Sequence, residues 1–252
     1  MRRFFILTDE LKKEFPTIVG ADAHHIHTVL RLQPGVIVGL FDGKGLIQQA
    51  KIVSISDKEI RFRLLRKEVQ SAESPIHITI AQALIKGQKL DDLLRPLTEL
   101  GVYEIVPFIA TRSVAVPDAE RAQKRHMRWE KIVLESMKQC GRQVPPIIHM
   151  SASFEEMLLR AKTADMKLLF WEEAKTPLEQ IFIDVSMPKR LFAAIGPEGG
   201  FTKDETNAAQ KAGFVSASLG RRVLRTETAA VTIASILQYQ FGDLACGGDQ
   251  KS

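Results

Sequence analysis

The sequence predicts an α/β protein in which a small β-rich domain over residues 1–70 precedes a parallel α/β domain over residues 75–252. Three observations carry this prediction. Short runs rich in Val, Ile and Leu surround a Gly-bearing turn before residue 70. Beyond residue 75, apolar strand segments alternate with helically patterned ones, the signature of a parallel sheet. Between them, Gln70 to Pro75 is a polar break containing Ser71, Glu73 and Ser74. The chain has 252 residues, 45% of them hydrophobic, which suffices for two modest cores.

In the first domain, Ala21 to Leu32 reads as a helix opened by Asp22. Gly35 to Phe41 is a strand, and Asp42-Gly43-Lys44-Gly45 turns it back, because Gly accepts positive φ. Leu46 to Ser56 and Glu59 to Leu65 follow as strands, and short strands around tight turns suggest a small barrel. Phe4 and Phe5 read as core residues.

In the second domain, Ile76 to Ala83 is a strand, and Leu90, Leu93, Leu94 and Leu97 share a helix face. Tyr103 to Phe108 is the next strand, and Ala119 to Gly141 a long helix with Ile132, Val133, Ser136, Met137 and Cys140 as its buried stripe. Phe154 to Lys162 is helical; Lys167 to Trp171, Arg190 to Ile195 and Val215 to Leu219 are strands. Glu227 to Phe241 closes the fold with Thr226 as its expected N-cap, and the last ten residues read as a frayed tail.

Lys and Arg number 35 against 30 Asp and Glu, giving a formal charge of +5 and a pI near 9.2. A basic balance of this size weakly favours a polyanionic partner. No run approaches the roughly eighteen apolar residues of a membrane span, and the opening Met-Arg-Arg-Phe-Phe-Ile-Leu is too short for a signal peptide. Cys140 and Cys246 form no Cys-x-x-Cys pair, so a reduced, cytoplasmic setting is expected. His24, His25 and His27 have no acidic or cysteine partner at ligand spacing, so no metal is expected.

Two segments carry chemistry. In Ile195-Gly196-Pro197-Glu198-Gly199-Gly200-Phe201-Thr202-Lys203-Asp204-Glu205 an apolar strand enters a Gly/Pro turn and then a helix. Thr202 and Glu205 have capping-box spacing. Glycines there let backbone approach a ligand at the sheet edge where α/β proteins bind ligands; an ordinary capped turn is the equal alternative. Absence of Gly-Lys-Ser/Thr and of Gly-x-Gly-x-x-Gly argues against an NTPase or a dinucleotide oxidoreductase. In Leu219-Gly220-Arg221-Arg222-Val223-Leu224-Arg225-Thr226-Glu227-Thr228-Ala229-Ala230 a strand end leads through three arginines into a helix. Those cations suit phosphates or a carboxylate, or form a solvated basic loop. Two Gly-bearing strand ends this close in the chain favour one shared pocket. Arg121, Arg125 and Arg128 share a helix face, flanked by Lys124 and Lys131 and continued by Lys138 and Arg142. Their mutual repulsion would be relieved by nucleic-acid phosphates, although Glu130 and Glu135 offset some of it.

Taken together these segments resemble the bacterial 16S ribosomal RNA (uracil(1498)-N3)-methyltransferase family of the SPOUT superfamily. Arg2-Arg3-Phe4-Phe5, His25-Ile26-His27-Thr28-Val29-Leu30-Arg31, Lys86-Gly87, Thr98-Glu99-Leu100-Gly101-Val102, Arg112-Ser113-Val114 and the Trp129 to Arg142 helix extend the likeness over nearly the whole chain. The resemblance implies a PUA-like barrel, a SPOUT domain with a deep trefoil knot, a homodimer, S-adenosyl-L-methionine as cofactor, and 16S rRNA or the assembled small ribosomal subunit as substrate. It implies a cofactor site at Leu169, Phe170, Ile195, Gly196, Pro197, Gly199, Leu219, Gly220, Val223, Leu224, Thr226 and Ala229, with Arg112, Glu198 and Arg225 as catalytic candidates. Arg2, Arg3, Arg31, Arg121, Arg125, Arg128, Arg142 and Arg222 are the RNA-binding candidates. Two positions depart from the family pattern: Thr111, where an acidic residue is common, and Pro96, which removes a helix donor and is expected to kink its helix. A ribose 2′-O-methyltransferase acting on tRNA, a non-catalytic ribosome-assembly factor and a phosphate-binding enzyme are the competing readings.

Overall fold

A computed structural model describes residues 2–56, 58–67, 73–113, 118–183 and 185–245. The chain forms two compact units, Met1–Glu73 with Met137–Pro145, and Ser74–Ser136 with Pro146–Ser252. The return of 137–145 to the first unit has no compositional signal, because those residues lie within and just past one amphipathic helix. Residues 70–72 of the polar break and Val114 lie outside the described residues.

The first unit contains β1 (Arg3–Phe5), β2 (Thr17–Val19), the short helix α1 (Ala21–His24), β3 (Ile37–Phe41), β4 (Ile47–Ile55) and β5 (Glu59–Lys67). They form one barrel-like sheet in the order β1-β3-β4-β5-β2, in which β1 pairs parallel with β3 and the other pairs are antiparallel. Alternate residues face inward as the pleat requires: Val38 and Leu40, Ala50 and Ile52, Ile60 and Phe62 are buried. The β3–β4 turn closes because Asp42 Oδ1 accepts from the amides of Lys44 (2.8 Å) and Leu46 (3.2 Å), while Gly43 takes φ +70°. Two register shifts in β4–β5 mark bulges, which increase twist. The helix expected over 21–32 is α-helical only to His24 and continues as a π turn, His25–Val29. Gly20, not Asp22, occupies its N-cap. β1 and β2 have three residues each, too few to show a period.

The second unit runs β6 (His77–Ala83), α2 (Lys89–Glu99), β7 (Glu104–Ile109), α3 (Ala119–Cys140), β8 (Ile147–Ile148), β9 (Ala152–Ser153), α4 (Phe154–Arg160), β10 (Met166–Phe170), α5 (Leu178–Phe182), β11 (Arg190–Ile195), α6 (Lys203–Lys211), β12 (Val215–Ala217) and α7 (Thr226–Phe241). The sheet order is β12-β10-β11-β6-β7-β8, with β9 also on β7, and every pairing is parallel. β6 and β11 are buried after their first residue, as strands covered on both faces must be. From β6 the chain builds outward through β7, then later strands fill the opposite side, so β6 and β11 flank a switch in strand order. The register aligns Gln82 with Ile195, Ile195 with Phe170, and Phe170 with Ala217. One row of strand ends therefore faces the same sheet edge.

Pro96 lies inside α2, whose helix runs three residues beyond it, with Leu100 N donating to the Pro96 carbonyl at 2.9 Å. Two sequence expectations change. The last strand stops at Ala217 rather than Leu219. Thr226 is not the cap of α7: Arg225 occupies that position, and Thr226 is the first helical residue. The Thr202–Glu205 capping box on α6 forms as the spacing indicates. Residues 246–252 of the expected tail, with Cys246, lie outside the described residues.

Candidate functional site

The aligned strand ends surround a cavity of about 450 Å³. Its floor is the end of β10, β11 and β12 at Phe170, Ile195 and Ala217. One wall is the Gly196–Gly200 corner, the other the Ser218–Thr226 loop, and Lys89 at the start of α2 closes a further side. Such a volume, with an apolar floor and a few polar groups, is that of a small-molecule site.

Each wall is fixed by identifiable bonds. In the first corner Gly200 N donates to Pro197 O at 2.9 Å, and Gly200 takes φ +67°. A Cβ there would be strained and would overlap the Glu172 carboxylate, so the corner requires glycine. In the second wall Ser218 N donates to Thr176 O at 2.9 Å, and Gly220 N donates to Ser218 Oγ at 3.2 Å. The walls are joined at their base: the Thr226 hydroxyl donates to Gly196 O at 2.8 Å and accepts from Gln82 Nε2 at 2.9 Å. Gln82 is fully buried, and its amide also donates to Ala83 O at 3.1 Å. This buried network ties β6, β11 and α7 together, which explains why Thr226 is not free to cap.

The electrostatics are concentrated at one side. Glu198 Oε1 accepts from Lys89 Nζ at 3.0 Å and from the Lys86 amide at 3.4 Å. Partial burial pushes the Glu198 carboxyl up. Hydrogen bonds from its own backbone amide, from Lys89 and from Lys86 outweigh that and hold it below the ordinary glutamate value. Lys89 Nζ also stands 3.8 Å from Glu227 Oε2, a buried oxygen without a hydrogen bond among the described residues. Trp171 lines the cavity, and its buried Nε1–H has no acceptor among the described residues. A ligand carrying an acceptor would satisfy that donor.

Of the cofactor-site expectations, Phe170, Ile195, Gly196, Pro197, Leu219, Gly220, Val223, Leu224, Thr226 and Ala229 line the cavity. Glu198, Arg222 and Arg225 line it too. Leu169 does not: it is fully buried in the apolar core, because alternate strand residues face opposite sides of the sheet. Gly199 does not either; it backs onto the Arg112 side chain. Arg112 lies behind the corner, its Nη1 donating to Gly199 O at 2.7 Å and to Phe201 O at 3.5 Å. The Thr111 amide beside it donates to Glu205 Oε1 at 2.7 Å, so the residue in the departing position latches the β7 exit to α6. Lys89, Trp171, Glu172, Gly200, Ala217, Ser218, Arg221 and Glu227 line the cavity without having been singled out. Gly200, Arg221 and Glu227 sit inside the two motifs. Trp171, Glu172, Ala217 and Ser218 lie at or just past strand ends, where the binding-edge rule could have found them.

The basic residues divide by environment. Arg121 (79% exposed) pairs with Asp118, Arg125 stacks over Trp129 at 5.5 Å, and Arg128 pairs with the buried Asp91 at 2.9 Å. Repulsion along this face therefore has relief within the protein. Arg2 and Arg31 are exposed, Arg31 with φ +49°, and Arg3 donates to Gly141 O. Arg142 is a correction: it is 5% exposed, and Glu73 holds its Nε at 3.0 Å and Nη2 at 2.8 Å, so it is a structural cation inside its unit.

Comparison with known proteins agrees with this geometry. Residues 72–238 match the RNA methyltransferase domain family, and residues 18–65 match the RNA methyltransferase PUA domain family. Ribosomal RNA small subunit methyltransferase E of Bacillus subtilis is 34% identical over 248 residues, covering 95% of this chain and 97% of its own. The crystal structure of the enzyme of that name from Neisseria gonorrhoeae, bound to S-adenosyl methionine, superposes with a TM-score of 0.83 at 31% identity, covering 97% of this chain and 99% of that one. A Legionella pneumophila methyltransferase in complex with bound cofactor SAM gives 0.84 at 30% identity, covering 96% and 98%. The chain belongs to the RNA methyltransferase family, alongside the ribosomal RNA small subunit methyltransferase E proteins.

Proposed function

We propose that this protein methylates N3 of a uridine in 16S ribosomal RNA, of the U1498 type, using S-adenosyl-L-methionine. The observation that carries the reading is the enclosure of one cavity by two Gly-bearing corners at the carboxyl edge of a parallel sheet. The names of the relatives and the cofactor bound in the two solved structures support it.

The cavity fits that cofactor on its own features: its volume, its apolar floor, the Gly196 and Gly200 backbone in its wall, and the unpartnered Trp171 N–H. Ile195, Gly196, Leu219, Leu224 and Ala229 would hold it. When bound it supplies a methyl already activated by a sulfonium. The chain's own work is to position and to manage charge. Lys89 and the Lys86 amide fix Glu198 at the rim, where it orients ligand or base. Arg225 at the rim favours the ionised uracil electrostatically. Arg112 keeps the Gly199 corner in place from behind and can contact RNA there. Because a paired base hides N3, the target must be single-stranded or unstacked.

The exposed Arg2, Arg31, Arg121, Arg128 and Arg222, with the half-buried Arg3 and Arg125, are the proposed phosphate contacts, with rRNA or the assembled small subunit as partner. A homodimer is supported by an apolar groove between α5 and α7, lined by Leu178, Phe182, Ile236 and Tyr239, with Ile183 exposed at the end of α5. The trefoil knot is supported by the doubling back of α7 from edge strand β12 onto β11 and β6. A cytoplasmic location goes with the substrate.

The test is methylation in vitro of small subunits lacking the modification, followed by nucleoside mass spectrometry. N3-methyluridine is the expected product; a 2′-O-methyl nucleoside, or no cofactor-dependent product, would contradict the reading.

A further inference from the structure

We propose that Glu227 is the general base of the site, taking the proton from N3 of the target uridine, with Lys89 as the residue that positions it. This rests on the uridine-N3 reading above. Three carboxylates line the cavity: Glu172, Glu198 and Glu227. Their surroundings separate them. Glu172 is exposed and lies against Gly200, where water solvates it. Glu198 has its oxygen engaged by an ammonium and a backbone amide. Glu227 differs: its Oε2 is shielded from water and accepts no hydrogen bond among the described residues, while the side chain, 29% exposed, still lines the cavity. An imide N–H entering the cavity supplies the donor this carboxylate lacks.

The fold holds Glu227 in place for that task. It stands in the first turn of α7, one residue after Thr226, and Thr226 is bonded to Gly196 and Gln82 at the strand ends. Lys89, from α2, stands 3.8 Å from Glu227 and 3.0 Å from Glu198, so one ammonium sits between two carboxylates. The other charged groups lining the cavity are Arg221, Arg222 and Arg225 from the loop before α7, and Glu172 after β10. These arginines can receive the negative charge that spreads onto the uracil carbonyl oxygens as N3 loses its proton.

The step balances without a further reagent. The N3–H bond breaks, and its proton goes to Glu227. The electron pair left on N3 forms the bond to the methyl carbon while the methyl–sulfur bond breaks, its pair staying on sulfur. Glu227 then returns its proton to water.

The experiment compares wild type with Glu227→Gln, Lys89→Gln and Lys89→Arg. It measures single-turnover methylation of unmodified small subunits from about pH 6 to about pH 9, and affinity for S-adenosylhomocysteine by calorimetry. Glu227→Gln is expected to slow methylation by on the order of 10²–10⁴ at neutral pH while affinity stays within about threefold, which also shows that the variant is folded. Its rate should climb about tenfold per pH unit as the uracil ionises by itself, whereas the wild-type rate levels off. Lys89→Gln should slow turnover and Lys89→Arg restore it. A Glu227→Gln enzyme that keeps the wild-type rate, loses it equally at every pH, or loses ligand affinity overturns the assignment. If the wild type itself makes no N3-methyluridine, the substrate reading fails and the base assignment falls with it.

Discussion

Thr226 shows how a residue's role depends on what lies beside it in space. Its position before a helical run reads as a cap, since Thr is among the residues preferred there. The structure moves it one residue into α7 and gives its hydroxyl two strand-end partners, Gly196 O and Gln82 Nε2. Replacing it with Val keeps the shape but removes two bonds of the buried network, leaving Gln82 Nε2 only Ala83 O at 3.1 Å and a long contact to Gly196 O at 3.5 Å. Thr226→Val should therefore cost about 1–3 kcal/mol by urea unfolding. It should also weaken S-adenosylhomocysteine binding, because both cavity walls meet at this hydroxyl. Thr226→Ser should retain both properties. A Val variant with unchanged stability and affinity would show that the bonds are incidental. Arg142 teaches the same lesson in reverse: a charge on a basic helix reads as surface, and only the fold reveals Glu73 facing it.

Elements were legible in proportion to their length and period. α2, with Leu90, Leu93, Leu94 and Leu97 on one face, and β11, with five buried residues in a row, are where their patterns put them. β1, β2, β8 and β9 have two or three residues, and they are strands only because a neighbour pairs with them. The two motifs marked the cavity walls, since glycine at a strand end is a local signal. Lys89, from the start of α2, reaches the same cavity through strand order and helix placement, which no local window contains. α3 carries an element-scale prediction. If Arg121, Arg125 and Arg128 meet phosphates, replacing all three with Gln should flatten the slope of log affinity for rRNA against log salt by about 2–3. Cofactor affinity should not change. An unaltered slope would assign the face to its internal partners Asp118, Asp91 and Trp129.

For the whole molecule, the sequence conveyed two domain types because hydrophobic period and turn chemistry change between them. It did not convey that residues 137–145 belong with the first unit, since membership is decided by contacts distant in the chain. The second unit's parallel order sets Gln82, Ile195, Phe170 and Ala217 in one row, and everything chemical follows from that row. The most direct measurement is a crystal structure of the protein soaked with S-adenosylhomocysteine. The ligand should lie between Gly196–Gly200 and Leu219–Thr226, with its sulfur on the side of Glu198 and Glu227. Ligand bound elsewhere, or the two corners closed on each other by side chains with no room between them, would contradict the account.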